Sequence, residues 1–382
     1  MNLDVAPVSQ GDVLELHVSD ALIFRDCRRR WKLGSMTQMN LEPDRPITAL
    51  WMGTAVHYGL EHYYKLPDPI HPEVMLEATD LYLQGQIKSI REQTAGLTDA
   101  QDEELLKGIN MVMGILEHYA SWAPTWDVPG NSWAVEERHP IISEVVATEQ
   151  KFSMPLMVDG EEVPGVMVHG RMDGVIRDQE ERLWVLEHKT AAQIRERHHL
   201  LMDEQPGVYM VAAAHILGEP CVGVLYNIMR KKLPAVPERL VAGGITVRKN
   251  IDTTYTMYML ALEAAGQDPC TPKYAEILDI LAVKGNTFFK RVPVERSPTV
   301  LNNLMRRLQL VAHDMKFGEI YASPNPFKCS MCAFEPVCIA MEDGAHWQDI
   351  LRTQYRVRRP EVDPDDVVAA VVYSEAYEEV MS

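Results

Sequence analysis

Two stretches decide how this sequence folds: Val166-Met-Val-His-Gly-Arg-Met-Asp-Gly-Val-Ile176 and Leu183-Trp-Val-Leu-Glu-His-Lys189, separated by the polar Arg177-Asp-Gln-Glu-Glu-Arg182. Two apolar, β-branched arms around a polar connection predict a β-hairpin. In a hairpin symmetric about position 180, Asp173 and Glu187 stand directly opposite each other, with Cβ atoms roughly 4.5–5.5 Å apart. Lys189 lies two residues beyond Glu187 and therefore projects from the same face. Carboxylates that close repel unless a proton or a cation sits between them, and hard divalent cations such as Mg²⁺ or Mn²⁺ use such oxygen pairs. An ammonium beside a two-carboxylate metal site suits phosphodiester hydrolysis, in which the metal activates water and the cation stabilises a developing oxyanion. The alternative is a solvated surface hairpin with ion pairs worth about 0–1 kcal/mol. Against it, the apolar run Leu183-Trp-Val-Leu186 leads straight into Glu187-His188-Lys189, a poor design for a surface strand.

Working outward, Ser132–Arg138 and Lys151–Val158 read as strands, Asp203–Leu217 as a helix with Pro206 in its first turn, and the apolar Cys221–Met229 as a buried strand. Strand, strand, helix, strand in this order implies an α/β fold with a mixed central sheet flanked by helices. Apolar residues at three-to-four spacing predict further helices over Ser19–Leu33, Leu50–Tyr64, Pro72–Gln93, Ala100–Trp122 and Pro298–Phe317. The expected division is an N-terminal helical region (1–130), a mixed-sheet core carrying the hairpin (131–230), an insert (231–300), a C-terminal helix with a cysteine segment (301–345) and an acidic tail (346–382).

The chain has 382 residues, 46% hydrophobic and 24% charged, the proportions of a folded protein rather than a disordered one. Its apolar run Val367–Tyr373 is seven residues long, far short of the roughly 20 a bilayer requires. The first twenty residues carry acids and no Lys or Arg, so no secretory or transit signal is expected, and a cytoplasmic location follows. Net charge is −18; the seven acids of Glu361–Ser382 account for part of it, and the remainder is still −11. A nucleic-acid site on such a chain must be a local basic patch. Candidates are the stripe Arg25, Arg28, Arg29 and Lys32, and the run Arg230, Lys231, Lys232. Phe288 and Phe289 beside Lys290 offer a surface for base stacking, with core packing as their other fate.

Six cysteines in a chain of this length do not make a disulfide scaffold. Three of them form Cys329-x2-Cys332-x5-Cys338, and Cys27 lies far upstream. Four thiolates satisfy either a zinc ion or an iron–sulfur cluster, and spacing alone does not separate the two. No G-x4-G-K-[ST] phosphate loop occurs, which disfavours a helicase–nuclease motor; any motor involved is expected on a separate chain.

Gly170-Arg-Met-Asp173-Gly followed by Leu186-Glu187-His188-Lys189-Thr resembles the RecB-like branch of the PD-(D/E)XK nuclease superfamily, with Met172 where the motif's name has proline. Gly53-Thr-Ala-Val-His57 is similar to the branch's upstream helical motif, whose histidine joins the carboxylates as a metal ligand; Gly53 would permit close backbone approach. Gln205-x3-Tyr209 is similar to the downstream helical motif that supports DNA contact and catalysis. The resemblance implies a restriction-endonuclease-like core in which Asp173, Glu187, Lys189, Gln205 and Tyr209 are catalytic, and His57, Asp173, Glu187 and His188 hold Mg²⁺ or Mn²⁺. One cysteine before and three after the nuclease motifs resembles the iron–sulfur members, the CRISPR-associated RecB-family exonucleases and their phage relatives. That implies a [4Fe–4S] cluster on Cys27, Cys329, Cys332 and Cys338, joining the N- and C-terminal segments. It also implies single-stranded DNA ends as substrate and recombination or CRISPR-adaptation proteins as partners. The rival expectation is an iron–sulfur DNA-end-binding accessory subunit with little or no cleavage.

Overall fold

Apolar residues on the central strands point alternately to two different cores, and this sorting builds a sheet covered on both faces. The computed structural model describes residues 13–44, 50–65, 72–93, 98–125, 140–194, 196–241 and 243–358. In chain order it contains β1 (Leu14–His17), α1 (Val18–Asp26), α2 (Arg28–Gly34), β2 (Leu41–Pro43), α3 (Leu50–Lys65), α4 (Pro72–Gln93) and α5 (Asp99–Trp122). The strands β3 (Ile142–Val158), β4 (Glu161–Asp178) and β5 (Leu183–Ala191) follow, then α6 (Arg197–Leu200), α7 (Glu204–Leu217) and β6 (Cys221–Arg230). The chain continues through α8 (Tyr255–Ala264), α9 (Pro272–Lys284), β7 (Phe289–Glu295), α10 (Pro298–Phe317), α11 (Pro326–Ser330), α12 (Glu335–Glu342), α13 (Trp347–Gln354) and β8 (Tyr355–Val357). The strand expected at Ser132–Arg138 lies outside the described residues, as does the tail beyond 358.

Five strands of the six-stranded sheet run in the order β3-β4-β5-β6-β7, with β1 also beside β4, and the sheet is mixed in direction as expected. β4 pairs with β3 along one edge; β1 (parallel) and β5 (antiparallel) share its other edge at 166–169 and 174–177. β5 and β6 are parallel, with α7 crossing between them, as a parallel connection requires. Leu183 and Val185 face one core together with Val208 and Leu304, while Trp184 and Leu186 face the other with Val56, Tyr63 and Ile115. The continuous apolar run of β5 is the signature of a strand buried on both faces. The stretch 231–300, read from sequence as an insert, supplies two helices and also β7, which extends the sheet antiparallel to β6.

The β4–β5 turn is built around Asp178, which is fully buried. Its carboxylate accepts the backbone N–H groups of Glu180 and Arg182 at 3.0 and 2.9 Å, and the Trp184 indole N–H at 2.8 Å. The side chain of Arg182 donates to it as well. These bonds lock the polar connection and hold the hairpin in register.

The expected helix Ser19–Leu33 is broken. α1 stops at Asp26, Cys27 adopts extended backbone (φ −161°, ψ 112°), and α2 begins at Arg28. Neither Gly nor Pro marks the break in sequence, so helical spacing ran across it unnoticed. Phe288 and Phe289 are both buried in the core beside α5, which removes them as a stacking surface.

Candidate active site

The β4–β5 ladder pairs Arg177 with Leu183, Ile176 with Trp184, Val175 with Val185 and Gly174 with Leu186. The register is symmetric about position 180, and the pairing ends one step before Asp173 and Glu187. Instead of closing a further rung, Asp173 Oδ2 accepts the backbone N–H of His188 at 2.7 Å. The two acids therefore stand just past the last β4–β5 rung, where the ladder leaves a gap.

α3 packs on the sheet through Ala55, Val56, Tyr63 and Tyr64, which sets His57 over this gap with Nδ1 3.3 Å from Asp173 Oδ1. Burial opposes charge on His57, but the adjacent Asp173 carboxylate prevails and raises the imidazole to about 9. Burial likewise opposes charge on Asp173, and His57 prevails, lowering that carboxyl to about 2. Glu187 behaves oppositely: burial, reinforced by the charge of Asp173, raises it to about 8. One of its oxygens, Oε1, meets Lys189 Nζ at 2.7 Å. The other, Oε2, is buried with no hydrogen-bond partner. Burial opposes charge on Lys189 too, but Glu187 and Asp203 outweigh it and raise its pKa, with Asp203 Oδ2 3.3 Å away.

Asp203 is the N-cap residue of α7. Through it the start of that helix is tied to Lys189. On the first turns of α7, the Gln205 amide donates to the Tyr209 hydroxyl at 2.5 Å. Burial and then the charge of Glu187 raise the Tyr209 phenol, which places that pair beside the carboxylates. Gly53 is less constrained than expected: a Cβ there would meet only Thr190 Oγ1, at an ordinary 3.7 Å.

The His188 ring packs beside His57, another of the expected ligands. It stacks on Tyr64 and meets His57 edge-on, and its Nδ1 is 3.0 Å from the Asn227 amide. Burial lowers its pKa to about 3, so it is neutral. Asn227 also donates to the Tyr119 hydroxyl at 2.8 Å, and Arg291 donates to the Tyr64 hydroxyl at 3.0 Å. His188 thus belongs to a buried polar layer that supports β5 from behind.

Sequence reading missed Glu149. Among the described residues, the one compact set of donors suited to a metal ion is His57, Glu149 and Asp173, whose ligand atoms lie within 4.8 Å of one another. Burial and the charge of Asp173 raise Glu149 to about 7. A divalent cation fits this place: it would neutralise the crowded Glu149 and Asp173 carboxylates.

The order, strand topology and donor set are those of one nuclease fold. A family description, the PD-(D/E)XK nuclease superfamily, matches residues 16–339. The chain belongs to the PD-(D/E)XK nuclease superfamily. No curated protein matches it. As a member of this superfamily it is an α/β nuclease with DNA as the implied substrate. None of the helices among the described residues is long and apolar enough to cross a membrane.

Away from this site, Cys27, Cys329, Cys332 and Cys338 all line one cavity of about 360 Å³, together with Leu33, Phe334 and Ile339. The break at Cys27 turns its thiol onto that wall. Arg29 donates to Cys338 Sγ at 3.2 Å and the Asn325 backbone N–H to Cys329 Sγ at 3.3 Å. No three of these thiols converge within 4.8 Å.

The basic stripe is engaged in ion pairs. Arg25 pairs with Glu204, Arg28 with Asp314 and Arg29 with Glu342, while Lys32 donates to Gln38 at 2.9 Å. Arg230 and Lys232 pair with Asp252 at 3.1 and 2.7 Å, and Lys231 is exposed.

Proposed function

We propose that this nuclease is a Mg²⁺- or Mn²⁺-dependent deoxyribonuclease of the RecB-like, iron–sulfur-containing kind, an exonuclease working from single-stranded DNA ends. The observation that carries the reading is the donor set His57, Glu149 and Asp173, all within 4.8 Å of one another, beside the Glu187–Lys189 pair, in which one buried Glu187 oxygen lacks a partner. Oxygen and imidazole donors at this spacing suit a hard divalent cation. Such a cation, when bound, supplies Lewis acidity and a water of lowered pKa. The chain's own residues do the rest. Lys189, held charged by Glu187 and Asp203, donates hydrogen bonds to a non-bridging phosphate oxygen as negative charge develops there. Gln205 presents its amide to the strand entering along α7, held by the buried Tyr209 hydroxyl that accepts one of its N–H groups.

The four-cysteine cavity supports the iron–sulfur half of the proposal. A single tetrahedral zinc ion draws its thiolates to about 3.8 Å from one another, given Zn–S bonds of about 2.3 Å. Thiols spread around a larger chamber suit a group with its metal ions at separate corners. Held by α2 on one side and α11–α12 on the other, that group would join segments some three hundred residues apart. Free thiols in this arrangement, and a bound cluster, fit a reducing cytoplasm; recombination or CRISPR-adaptation proteins would be the partners.

The test is incubation of 5′-labelled single-stranded DNA with the anaerobically purified chain and Mn²⁺. Progressive shortening that is lost in Asp173→Ala and Lys189→Ala is expected. DNA binding without cleavage would replace the enzyme by the accessory end-binding subunit.

A further inference from the structure

The residue opposite Asp173 across the β3–β4 ladder is Glu149. The flanking rungs are Thr148 with Gly174 and Gln150 with Met172, so Glu149 and Asp173 occupy the step between them. Glu149 does not take ordinary strand backbone there. Its φ is +45°, a left-handed value that side chains rarely adopt and that persists where the surroundings enforce it. The resulting twist brings its carboxylate to the donor atoms of His57 and Asp173, all three within 4.8 Å. An octahedral Mg²⁺ or Mn²⁺, with bonds of about 2.1 Å, spans about 4.2 Å between opposite ligands, close to that separation.

Two further observations bear on what fills the space. The buried Oε2 of Glu187 has no hydrogen-bond partner, and Glu187 is close enough to feel the charge of Asp173 and to act on His57, so an unsatisfied oxygen lies beside the donor set. On the outer side of Glu149, Arg171 Nε lies 2.8 Å from Oε2, and that arginine side chain is 43% exposed. A long cation with an open path to solvent neutralises Glu149 and is free to leave it.

We propose that Glu149 is a direct ligand of the divalent cation alongside Asp173 and His57, and that Arg171 occupies Glu149 until the cation displaces it. The inference rests on the nuclease reading and adds to it a third carboxylate, contributed by β3. Glu149 is a ligand in this account and Arg171 is its competitor. Removing the first weakens metal binding, and removing the second strengthens it.

Isothermal titration of the full chain with Mn²⁺ tests both halves. Glu149→Gln should raise the dissociation constant at least about tenfold, the scale of effects at metal-supporting positions. Glu149→Gly, whose backbone accepts φ +45° without strain, should show the same loss with an intact thermal melt. Arg171→Ala should lower the dissociation constant severalfold. If the unmodified chain binds Mn²⁺ and Asp173→Asn abolishes that binding while both Glu149 variants bind as before, Glu149 is only the partner of Arg171 and the assignment is overturned. Weaker binding in Arg171→Ala would overturn the competitor role. Absence of any Mn²⁺ binding by the unmodified chain would overturn the nuclease reading itself, and this inference with it.

Discussion

Binding a cation at His57 must expel a proton, and the structure sets how much that costs. Only the neutral imidazole ligates a metal, yet the contact with Asp173 raises His57 to about 9. At pH 7 about one molecule in a hundred carries the neutral ring, so freeing it costs about 2.7 kcal/mol. The sign follows directly. Protonation competes with the metal, so apparent Mn²⁺ affinity should rise about tenfold per pH unit between pH 6 and 8, and stop rising only above pH 9. Glu187, raised to about 8, is protonated in part of the same window and steepens the rise. The assay is calorimetry at pH 7 in two buffers of different ionisation enthalpy, whose difference counts protons released per Mn²⁺. Between two and three protons are expected for the unmodified chain, because Glu149, raised to about 7, is half protonated at pH 7 and must also give up its proton, and about one fewer for His57→Asn. Equal proton counts in the two proteins, or affinity flat across pH 6–8, would refute the placement of the cation at His57 and Asp173.

Lys189→Ala should reduce cleavage by at least about a hundredfold, the scale for removing one preorganised charge stabiliser, while DNA binding in a gel-shift assay stays within a few-fold; cleavage at the original rate would remove Lys189 from the chemistry. Asp178→Ala takes the shared acceptor from two backbone N–H groups, the Trp184 indole and Arg182, and should cost about 3 kcal/mol in urea unfolding. Cys329→Ala should abolish the broad visible absorption expected of anaerobically purified protein and lower its melting temperature; a colourless unmodified protein that contains zinc would remove the cluster. Tyr119→Phe deletes the hydroxyl shared by Tyr64 and Asn227 and should cost about 1–2 kcal/mol with Mn²⁺ affinity unchanged, because that layer supports the site from behind.

The β4–β5 hairpin was legible because two apolar arms around a polar turn leave little freedom: once position 180 is the centre, Asp173, Glu187 and Lys189 fall into place. The helices α3, α4, α5, α7 and α10 were legible for the same kind of reason, since a 3.6-residue apolar period is a local property. Glu149 was not. The Asp159-Gly160 turn taken alone would pair it with Gly170, but the ladder is irregular between Pro155 and Met157 and shifts by three residues. Pro155 lacks an N–H, and an edge strand tolerates it there at the cost of regular pairing; how far the register then slips depends on packing, not on local pattern. The break at Cys27 was hidden because nothing in its neighbours' side chains opposes a helix.

What the sequence determined by itself is therefore the local geometry: the strands, most helices, and the opposed acids with their lysine. Tertiary structure alone decided which distant groups meet. It brought Cys27 to the wall that carries Cys329, Cys332 and Cys338, paired the basic stripe with acids such as Glu204 and Asp314, withdrew His188 into a buried layer, and delivered Glu149 to Asp173. Periodicity constrains residues a few positions apart, whereas contacts across hundreds of positions are set by how complete elements pack, which no short pattern encodes.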